Sequence, residues 1–261
     1  MLREIAQALD PVIFARESIH FDPDPSQERA LRSVSKRVLF NCCRQWGKSV
    51  LTAVKALHKS VYYPKSLILL LSPSLRQSAE LFRKVANFSR IARNIPEKTE
   101  DSKLFMTLEN ESRIVSLPGK EGTVRGYSGA DLIIIDEAAQ VPDELYMAIR
   151  PMLAVSEGSL ILISTPRGKR GFFHKEWADG GSTWDRIMVT ADECPRISKD
   201  FLKEEYEALG KLWFAQEYMC EFVDPEGQLI SFEDIKCAFS DEVKPFYGSP
   251  ISDEVKPFLE R

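Results

Sequence analysis

The sequence predicts an α/β fold in which a mainly parallel central sheet is flanked by helices, and three observations support this class. Strand-like segments alternate along the chain with longer segments whose apolar residues recur at helical spacing. Several strand-like segments, such as residues 66–72, are apolar along nearly their whole length, which indicates strands covered on both faces. A loop of phosphate-binding type follows the first of these strands and precedes a helix.

The elements can be justified in chain order. Residues 1–25 are expected to form an irregular N-terminal arm, because Pro23 and Pro25 prevent a continuing helix. A helix over 26–35 follows, with Ser26 as its N-cap. The remaining elements, which alternate strand and helix, are predicted over 37–43 (strand), 48–62 (helix), 66–72 (strand), 74–93 (helix), 104–108 with 113–117 (hairpin), 132–136 (strand), 143–153 (helix), 159–164 (strand), 171–178 (helix), 184–190 (strand), 199–209 and 211–220 (helices).

Composition excludes several classes of protein. The 261 residues are 44% hydrophobic and 28% charged with a net charge of -4, which is typical of a globular chain and not of a disordered one. The longest apolar runs are far shorter than the roughly 20 residues of a membrane helix. Five cysteines without a CxxC pair support neither a disulfide framework nor a zinc site. The N-terminus lacks an apolar segment of signal-peptide type, so secretion is not indicated and a reducing compartment is expected.

The segment 42–49, Cys-Cys-Arg-Gln-Trp-Gly-Lys-Ser, carries the strongest chemical signal. It matches the phosphate-loop pattern GxxxxGK[ST] except that Cys42 replaces the first glycine. Backbone N–H groups of the loop, at Cys43, Arg44, Gln45, Trp46 and Gly47, are expected to hold phosphates with help from the helix dipole. Lys48 would contact the β- and γ-phosphates and Ser49 would ligate Mg²⁺. The alternative interpretation is a chance Gly-Lys-Ser at a helix N-terminus.

A second signal is the acidic pair at the end of the 132–136 strand. Asp136 and Glu137 follow four apolar residues, and ligands of parallel sheets gather outside the carboxyl ends of the strands. Since neighbouring strand residues point to opposite faces, the two carboxylates are expected to differ in role. Asp136 suits the Mg²⁺ shell, and Glu137 suits the activation of a water for attack on the γ-phosphate. An exposed Asp-Glu turn is the alternative.

Two weaker signals concern polar residues near other strands. Ser164 and Thr165 end the 159–164 strand and could hydrogen-bond the γ-phosphate or its water, or could simply form a turn before Pro166. Gln27 could contact adenine through its amide, although a single glutamine at a helix start is usually a surface residue.

Taken together, these motifs resemble the ATPase domain of phage large terminases, which are P-loop NTPases of the ASCE type. The resemblance covers about residues 25–223 and includes Leu-Ser-Pro at 71–73 and Glu-Tyr-Met-Cys-Glu-Phe at 217–222. It implies ATP hydrolysis coupled to translocation of double-stranded DNA into a procapsid. It also implies ATP and Mg²⁺ as cofactors, and a portal protein, a small terminase subunit and further copies in a ring as partners. The residue roles implied are adenine contact for Gln27 and coupling of hydrolysis to motion for Ser164 and Thr165.

Two arginines are candidates for stabilising the transition state. Arg44 lies inside the phosphate loop and could act in cis. Arg125 matches an arginine that related motors insert into a neighbouring subunit, where such a finger contributes about 10³–10⁵ in rate. A solvated loop arginine is the alternative for Arg125.

The resemblance also predicts a domain division. Residues 1–25 form the arm, 26–223 the ATPase domain, and 224–261 a linker and C-terminal tail in which Ser-Asp-Glu-Val-Lys-Pro-Phe occurs twice. The nuclease domain of full large terminases is expected to be absent. Basic residues at Arg167, Lys169, Arg170 and Lys175 could contact DNA phosphates or be solvated surface. Two other functions stay open: a helicase-like or remodelling ATPase, and a nucleotide-switched binding module with negligible turnover.

Overall fold

The computed structural model describes residues 2–119, 124 and 126–223, and residues 1–223 belong to one compact unit. Its helices are α1 (Leu2–Leu9), α2 (Pro11–Ser18), α3 (Pro25–Arg32), α4 (Lys48–Tyr62), α5 (Leu75–Ile91), α6 (Asp143–Ile149), α7 (Gly171–Asp179) and α8 (Lys199–Glu217). Its strands are β1 (Arg37–Cys42), β2 (Leu67–Ser72), β3 (Lys98–Asp101), β4 (Phe105–Leu108), β5 (Arg113–Pro118), β6 (Leu132–Asp136), β7 (Ser159–Ser164) and β8 (Asp185–Val189). Short 3-10 turns occupy Ala138–Gln140, Arg150–Leu153 and Ala191–Glu193.

The strands form one sheet in the order β3-β4-β5-β2-β6-β7-β1-β8. In this order, every neighbouring pair from β5 through β8 is parallel. The pairs β3–β4 and β4–β5, at one edge of the sheet, are antiparallel. The predicted mainly parallel sheet is therefore confirmed. The predicted hairpin is confirmed as β4 and β5, while the edge strand β3 was missed; its pairing with β4 shifts register between Lys98 and Glu100.

Helices cover both faces of this sheet, and strand residues alternate between two apolar cores. Ile134 belongs to the core that α4 and α5 complete, whereas its neighbour Ile135 belongs to the core that α6 and α7 complete. Both isoleucines are fully buried. Burial on both faces explains why the central strands lack a polar-apolar alternation in sequence.

The N-terminal arm was predicted to be irregular, and this is wrong. Residues 2–18 form α1 and α2, and Val12, Phe14 and Ala15 of α2 lie in the core beside α4. Asp10 caps α2 by accepting the Val12 N–H at 2.8 Å. Pro11 is the first residue of α2, where proline has no N–H to lose, so it starts this helix.

Smaller corrections concern helix ends. The N-cap of α3 is Asp24 rather than Ser26, and the Asp24 carboxylate accepts the Gln27 N–H at 2.9 Å. The helix predicted over 143–153 ends at Ile149, because Pro151 interrupts it and the chain continues as a 3-10 turn. The two helices predicted on either side of Gly210 are confirmed, since the backbone of that glycine is not helical (φ 75°, ψ 168°) and divides α8 there; the second helix ends at Glu217 and not at residue 220.

Within the described residues, the helices are too short or too polar to cross a bilayer.

The parallel arrangement of the strands has a further consequence. The carboxyl ends of β1, β2, β6 and β7 lie side by side at one edge of the sheet, so side chains far apart in sequence meet there.

Candidate active site

The loop between β1 and α4 has the geometry of a phosphate-binding loop. Gly47 serves as the N-cap of α4 with a left-handed backbone (φ 100°). This left-handed backbone favours glycine, and a Cβ atom at Gly47 would lie only 2.8 Å from Nε2 of Gln27 and would displace that amide. Cys42, which stands where the pattern has its first glycine, is the fully buried last residue of β1. The loop therefore closes between a strand end and a helix N-terminus, where N–H groups attract anions.

Lys48 connects this loop to the end of β7. Its Nζ donates to Oγ1 of Thr165 at 2.8 Å and to the carbonyl oxygens of Cys43 and Cys42 at 3.2 and 3.5 Å. The side chains of Lys48 and Thr165 are both buried. Because these three acceptors are neutral, the hydrogen bonds place the ammonium charge at the loop without neutralising it.

Asp136 and Ser49 face each other across the same edge. Oγ of Ser49 lies 3.4 Å from Oδ2 of Asp136, and the Glu137 N–H donates to Oδ1 at 3.0 Å. The pKa of Asp136 is raised to about 6, first by burial and second by the neighbouring Glu137 carboxylate, against the opposing charge of Lys48. The predicted phosphate residues and the predicted acidic residue are therefore brought together in the fold.

The residues at this edge fit a Mg²⁺ ion. A serine hydroxyl and a carboxylate are the hard oxygen ligands that Mg²⁺ prefers, and a cation would favour the ionised form of the buried Asp136. Ser72, at the end of the adjacent strand β2, is fully buried, and its hydroxyl has no hydrogen-bond partner among the described residues. An unsatisfied hydroxyl on the strand beside Asp136 suits an edge where water molecules of a metal shell would be held.

Glu137 lies just beyond β6, and its backbone is left-handed (φ 52°). The strand ends at Asp136, so the alternation argument used for the two carboxylates does not apply to Glu137; this left-handed turn sets its direction instead. Its side chain is half-buried, and Oε2 accepts from Nε2 of Gln140 at 3.4 Å. Left-handed backbone at a residue other than glycine is uncommon and concentrates at functional sites.

Ser164 is linked to the same turn. Its hydroxyl group accepts a hydrogen bond from the Ala139 N–H at 3.2 Å and donates one to the carbonyl of Thr165 at 2.7 Å. The end of β7 is thus tied to the turn that follows Glu137, while the neighbouring Thr165 is tied to Lys48.

Arg44 is half of an ion pair that connects the loop to the end of α8. Its Nε donates to the Glu217 carboxylate, and its backbone N–H donates to the Glu217 carbonyl at 3.1 Å. The Arg44 side chain is 61% exposed, whereas that of Glu217 is 12% exposed. Glu217 was missed as a site residue, although it begins the segment 217–222 that the resemblance used.

Gln27 lies behind the loop. Its Nε2 donates to the Trp46 carbonyl at 2.7 Å, and its Oε1 accepts the Asp24 N–H at 3.2 Å. Gln27 is buried, and Arg196, which sequence reasoning missed, contacts the same carbonyl. The adenine contact predicted for Gln27 stays a prediction, as does the role of Arg125, which lies outside the described residues.

The fold and this site define a P-loop NTPase-type domain of the ASCE class, with the loop at the end of β1 and the acidic strand β6 two positions away in the sheet. Residues 39–237 match the family model of the terminase large subunit, T4likevirus-type, N-terminal. The chain belongs to this family, as the motifs predicted.

Relatives agree with this assignment. The chain is 30% identical over 250 residues to the terminase large subunit of Thermus virus P23-45, covering 82% of this chain and 52% of that protein. It is 32% identical over 105 residues to the large subunit of Escherichia phage T5, covering 38% of this chain and 24% of that protein. The chain thus spans about half the length of the P23-45 relative.

Solved structures share the fold. The large terminase ATPase domain of Thermus phage P74-26 superposes with a TM-score of 0.71 at 24% identity, covering 80% of this chain and 97% of that one. The large terminase of a second thermophilic bacteriophage, in complex with ADP, superposes with a TM-score of 0.59 at 13% identity, covering 83% and 53%.

Proposed function

We propose that this chain binds ATP with Mg²⁺ and hydrolyses it as the ATPase part of a phage large terminase. The observation that carries the proposal is the convergence at one sheet edge of Lys48 with Thr165 and of Ser49 with Asp136, at 2.8 and 3.4 Å. The choice of nucleotide is supported by ADP and ATP-γ-S in the structures of the second thermophilic phage's large terminase.

Each residue has a defined task in this mechanism. The loop N–H groups and the Lys48 ammonium bind the β- and γ-phosphates, exchanging the neutral oxygens that now hold Lys48 for phosphate oxygens. Ser49 and Asp136 would hold Mg²⁺, which supplies charge stabilisation on the phosphates when bound. Glu137 orients a water molecule and accepts its proton as the water oxygen bonds to the γ-phosphorus and the bond from that phosphorus to the β,γ-bridging oxygen breaks, which releases ADP and phosphate. Thr165 and Ser164 connect the γ-phosphate position to β7 and to the turn after Glu137.

The arginines divide between two positions. Arg44 is proposed to contribute in cis once it leaves Glu217, because its guanidinium lies on the phosphate loop itself. Arg125 is proposed to act in trans on a neighbouring copy, as the family resemblance implies.

The work done with ATP is proposed to be translocation of double-stranded DNA into a procapsid, in the host-cell cytoplasm. The partners are then a portal protein, a small terminase subunit and further copies of the chain in a ring. Residues 26–223 would carry the ATPase motifs, with α2 of the 1–25 segment contributing to the same core and 224–261 following in the sequence. Exposed basic residues after β7, such as Arg167, Arg170 and Lys175, are the proposed contacts to DNA phosphates.

The test compares Glu137→Gln with Lys48→Met. Glu137→Gln keeps shape and hydrogen bonding but removes the base, so ATP turnover is expected to fall at least about a hundredfold while Mg²⁺-dependent ADP binding is retained. Lys48→Met is expected to lose both ATP turnover and Mg²⁺-dependent ADP binding. Phosphate release and calorimetry measure the two properties, and Glu144→Gln on the exposed start of α6 is the matched control. Unchanged turnover in Glu137→Gln would contradict the mechanism.

A further inference from the structure

The carbonyl of Trp46, inside the phosphate loop, is held from two directions. Nε2 of Gln27 donates to it at 2.7 Å, and Nη2 of Arg196 donates to it at 2.6 Å. Gln27 comes from α3, and Arg196 comes from the segment between β8 and α8. Two donors from separate elements therefore use both acceptor positions of a single loop carbonyl.

Both donors are themselves fixed by Asp24. The other guanidinium nitrogen of Arg196, Nη1, donates to Oδ2 of Asp24 at 2.8 Å. The amide oxygen of Gln27 accepts the Asp24 N–H at 3.2 Å, which completes the capping box of α3. The Asp24 side chain is 8% exposed and Gln27 is buried, whereas the Arg196 side chain reaches them from the surface. We call Asp24, Gln27 and Arg196 the carbonyl clamp.

The Trp46 side chain is also fixed. Its ring is fully buried near Phe40, with 6.2 Å between ring centroids, and its Nε1 donates to Oγ of Ser26 at 2.7 Å. The residue before Gly47 thus has its ring and its carbonyl anchored, which leaves this part of the loop little freedom to rearrange.

The clamp determines the orientation of a phosphate-loop N–H group. The Trp46 carbonyl and the Gly47 N–H belong to one planar trans peptide and point in opposite directions. With the carbonyl held toward Gln27 and Arg196, the Gly47 N–H points away from them. Glycine at φ 100° would otherwise allow this peptide to flip, because Gly47 has no side chain to oppose it.

We infer that Gln27 and Arg196 are positioning residues of the phosphate-binding loop, acting through the Trp46 carbonyl. Trp46 and Asp24 engage one N–H and one lone pair of the Gln27 amide, so Gln27 holds the loop whether or not its remaining N–H and lone pair contact a base. The inference rests on the proposed nucleotide binding. It predicts that loss of the clamp weakens every ligand that carries a diphosphate, with or without a base.

Pyrophosphate, which has no base, separates the two roles. Calorimetry with Mg²⁺ would measure pyrophosphate and ADP binding to the wild-type chain, Gln27→Glu and Arg196→Gln. Gln27→Glu keeps the acceptor for the Asp24 N–H and removes the donor to Trp46. Each variant is expected to weaken both ligands by a similar factor, about tenfold for the lost hydrogen bond to the Trp46 carbonyl. Arg196→Lys keeps the charge but not the two-pronged geometry, and should weaken both ligands as well.

Arg29→Gln is the charge-matched control, since it lowers the net charge by one on the exposed face of the same helix. It should leave both affinities within about twofold. Arg196 is 46% exposed on its side chain, so its variants keep the test available if Gln27→Glu fails to fold. Loss of ADP affinity with unchanged pyrophosphate affinity would identify Gln27 as a base reader and overturn the inference. A wild-type chain that binds neither ligand would instead reject the proposed function.

Discussion

His58 shows how one buried side chain makes the stability of this chain depend on pH. It lies on α4 with Nε2 3.0 Å from the Gln7 carbonyl, and its ring is edge-on to Phe14 with 5.5 Å between centroids. Burial lowers the pKa of His58 to about 4, and the charge of Lys55 lowers it as well. The imidazole is therefore neutral in the folded chain at neutral pH.

The sign of the pH effect follows from proton binding. The unfolded chain, with a histidine pKa near 6.5, binds more protons than the folded chain between that value and about 4. The contribution of neutral His58 is fully present above about pH 6.5 and is lost as the pH falls toward 4. As the pH falls over this range, the free energy of unfolding measured by urea titration should decrease more steeply for wild type than for His58→Gln, by up to about 1.4 kcal/mol per pH unit. Parallel pH profiles for the two chains would contradict the assignment.

Site residues that belong to a local sequence motif were predicted, whereas their hydrogen-bond partners from distant parts of the chain were missed. Gly47, Lys48 and Ser49 are recognisable because the loop chemistry needs those residue types at that spacing. Glu217 is 173 residues from Arg44, and Arg196 is 150 residues from Trp46, so no local pattern indicates either contact. Both contacts form where the end of α8 and the segment between β8 and α8 pack against the phosphate loop in the folded chain.

Among the elements, those with clear start and stop signals were predicted best. The limits of α4, β6 and β7 agree with the predicted 48–62, 132–136 and 159–164. The arm was misjudged because only Pro23 and Pro25 were considered, as helix breakers, whereas the helix start at Asp10-Pro11 was overlooked. The edge strand β3 lacks the apolar pattern that identifies the central strands, since most of its residues are exposed.

Gly210 gives a prediction at the scale of an element. Its backbone (φ 75°, ψ 168°) is open to glycine but strained for other residues, and a Cβ atom there would meet nothing within 4 Å. Gly210→Ala should therefore destabilise the chain by about 1–3 kcal/mol through backbone strain and not through collision. Denaturant unfolding measures the loss, with Glu207→Ala on the exposed surface of α8 as the control. Equal free energies of unfolding for the two variants would show that the kink is dispensable.

For the whole molecule, the site joins both halves of the described chain. Lys48 is the first residue of α4, and Thr165, 117 residues later, follows β7. A ligand that binds both residues therefore stabilises two elements that are far apart in sequence. With Mg²⁺-ADP at a hundred times its dissociation constant, the free energy of unfolding should rise by about 2.7 kcal/mol. At about 2–4 °C for each kcal/mol in a chain of this size, the expected increase in Tm is roughly 5–11 °C.

Differential scanning fluorimetry measures this increase directly. Lys48→Met should remove it without a comparable change in the Tm of the ligand-free chain, whereas Arg29→Gln should retain it. A shift of the same size in Lys48→Met would place the nucleotide elsewhere on the molecule.

The edge strand β3 limits how copies of this chain can associate. Its sequence Lys-Thr-Glu-Asp carries charge along an exposed border, and its pairing with β4 is irregular between Lys98 and Glu100. Both features oppose the addition of a foreign strand to the sheet. In the proposed ring, contacts made at this border would therefore run between side chains and not along a sheet continued from one copy to the next.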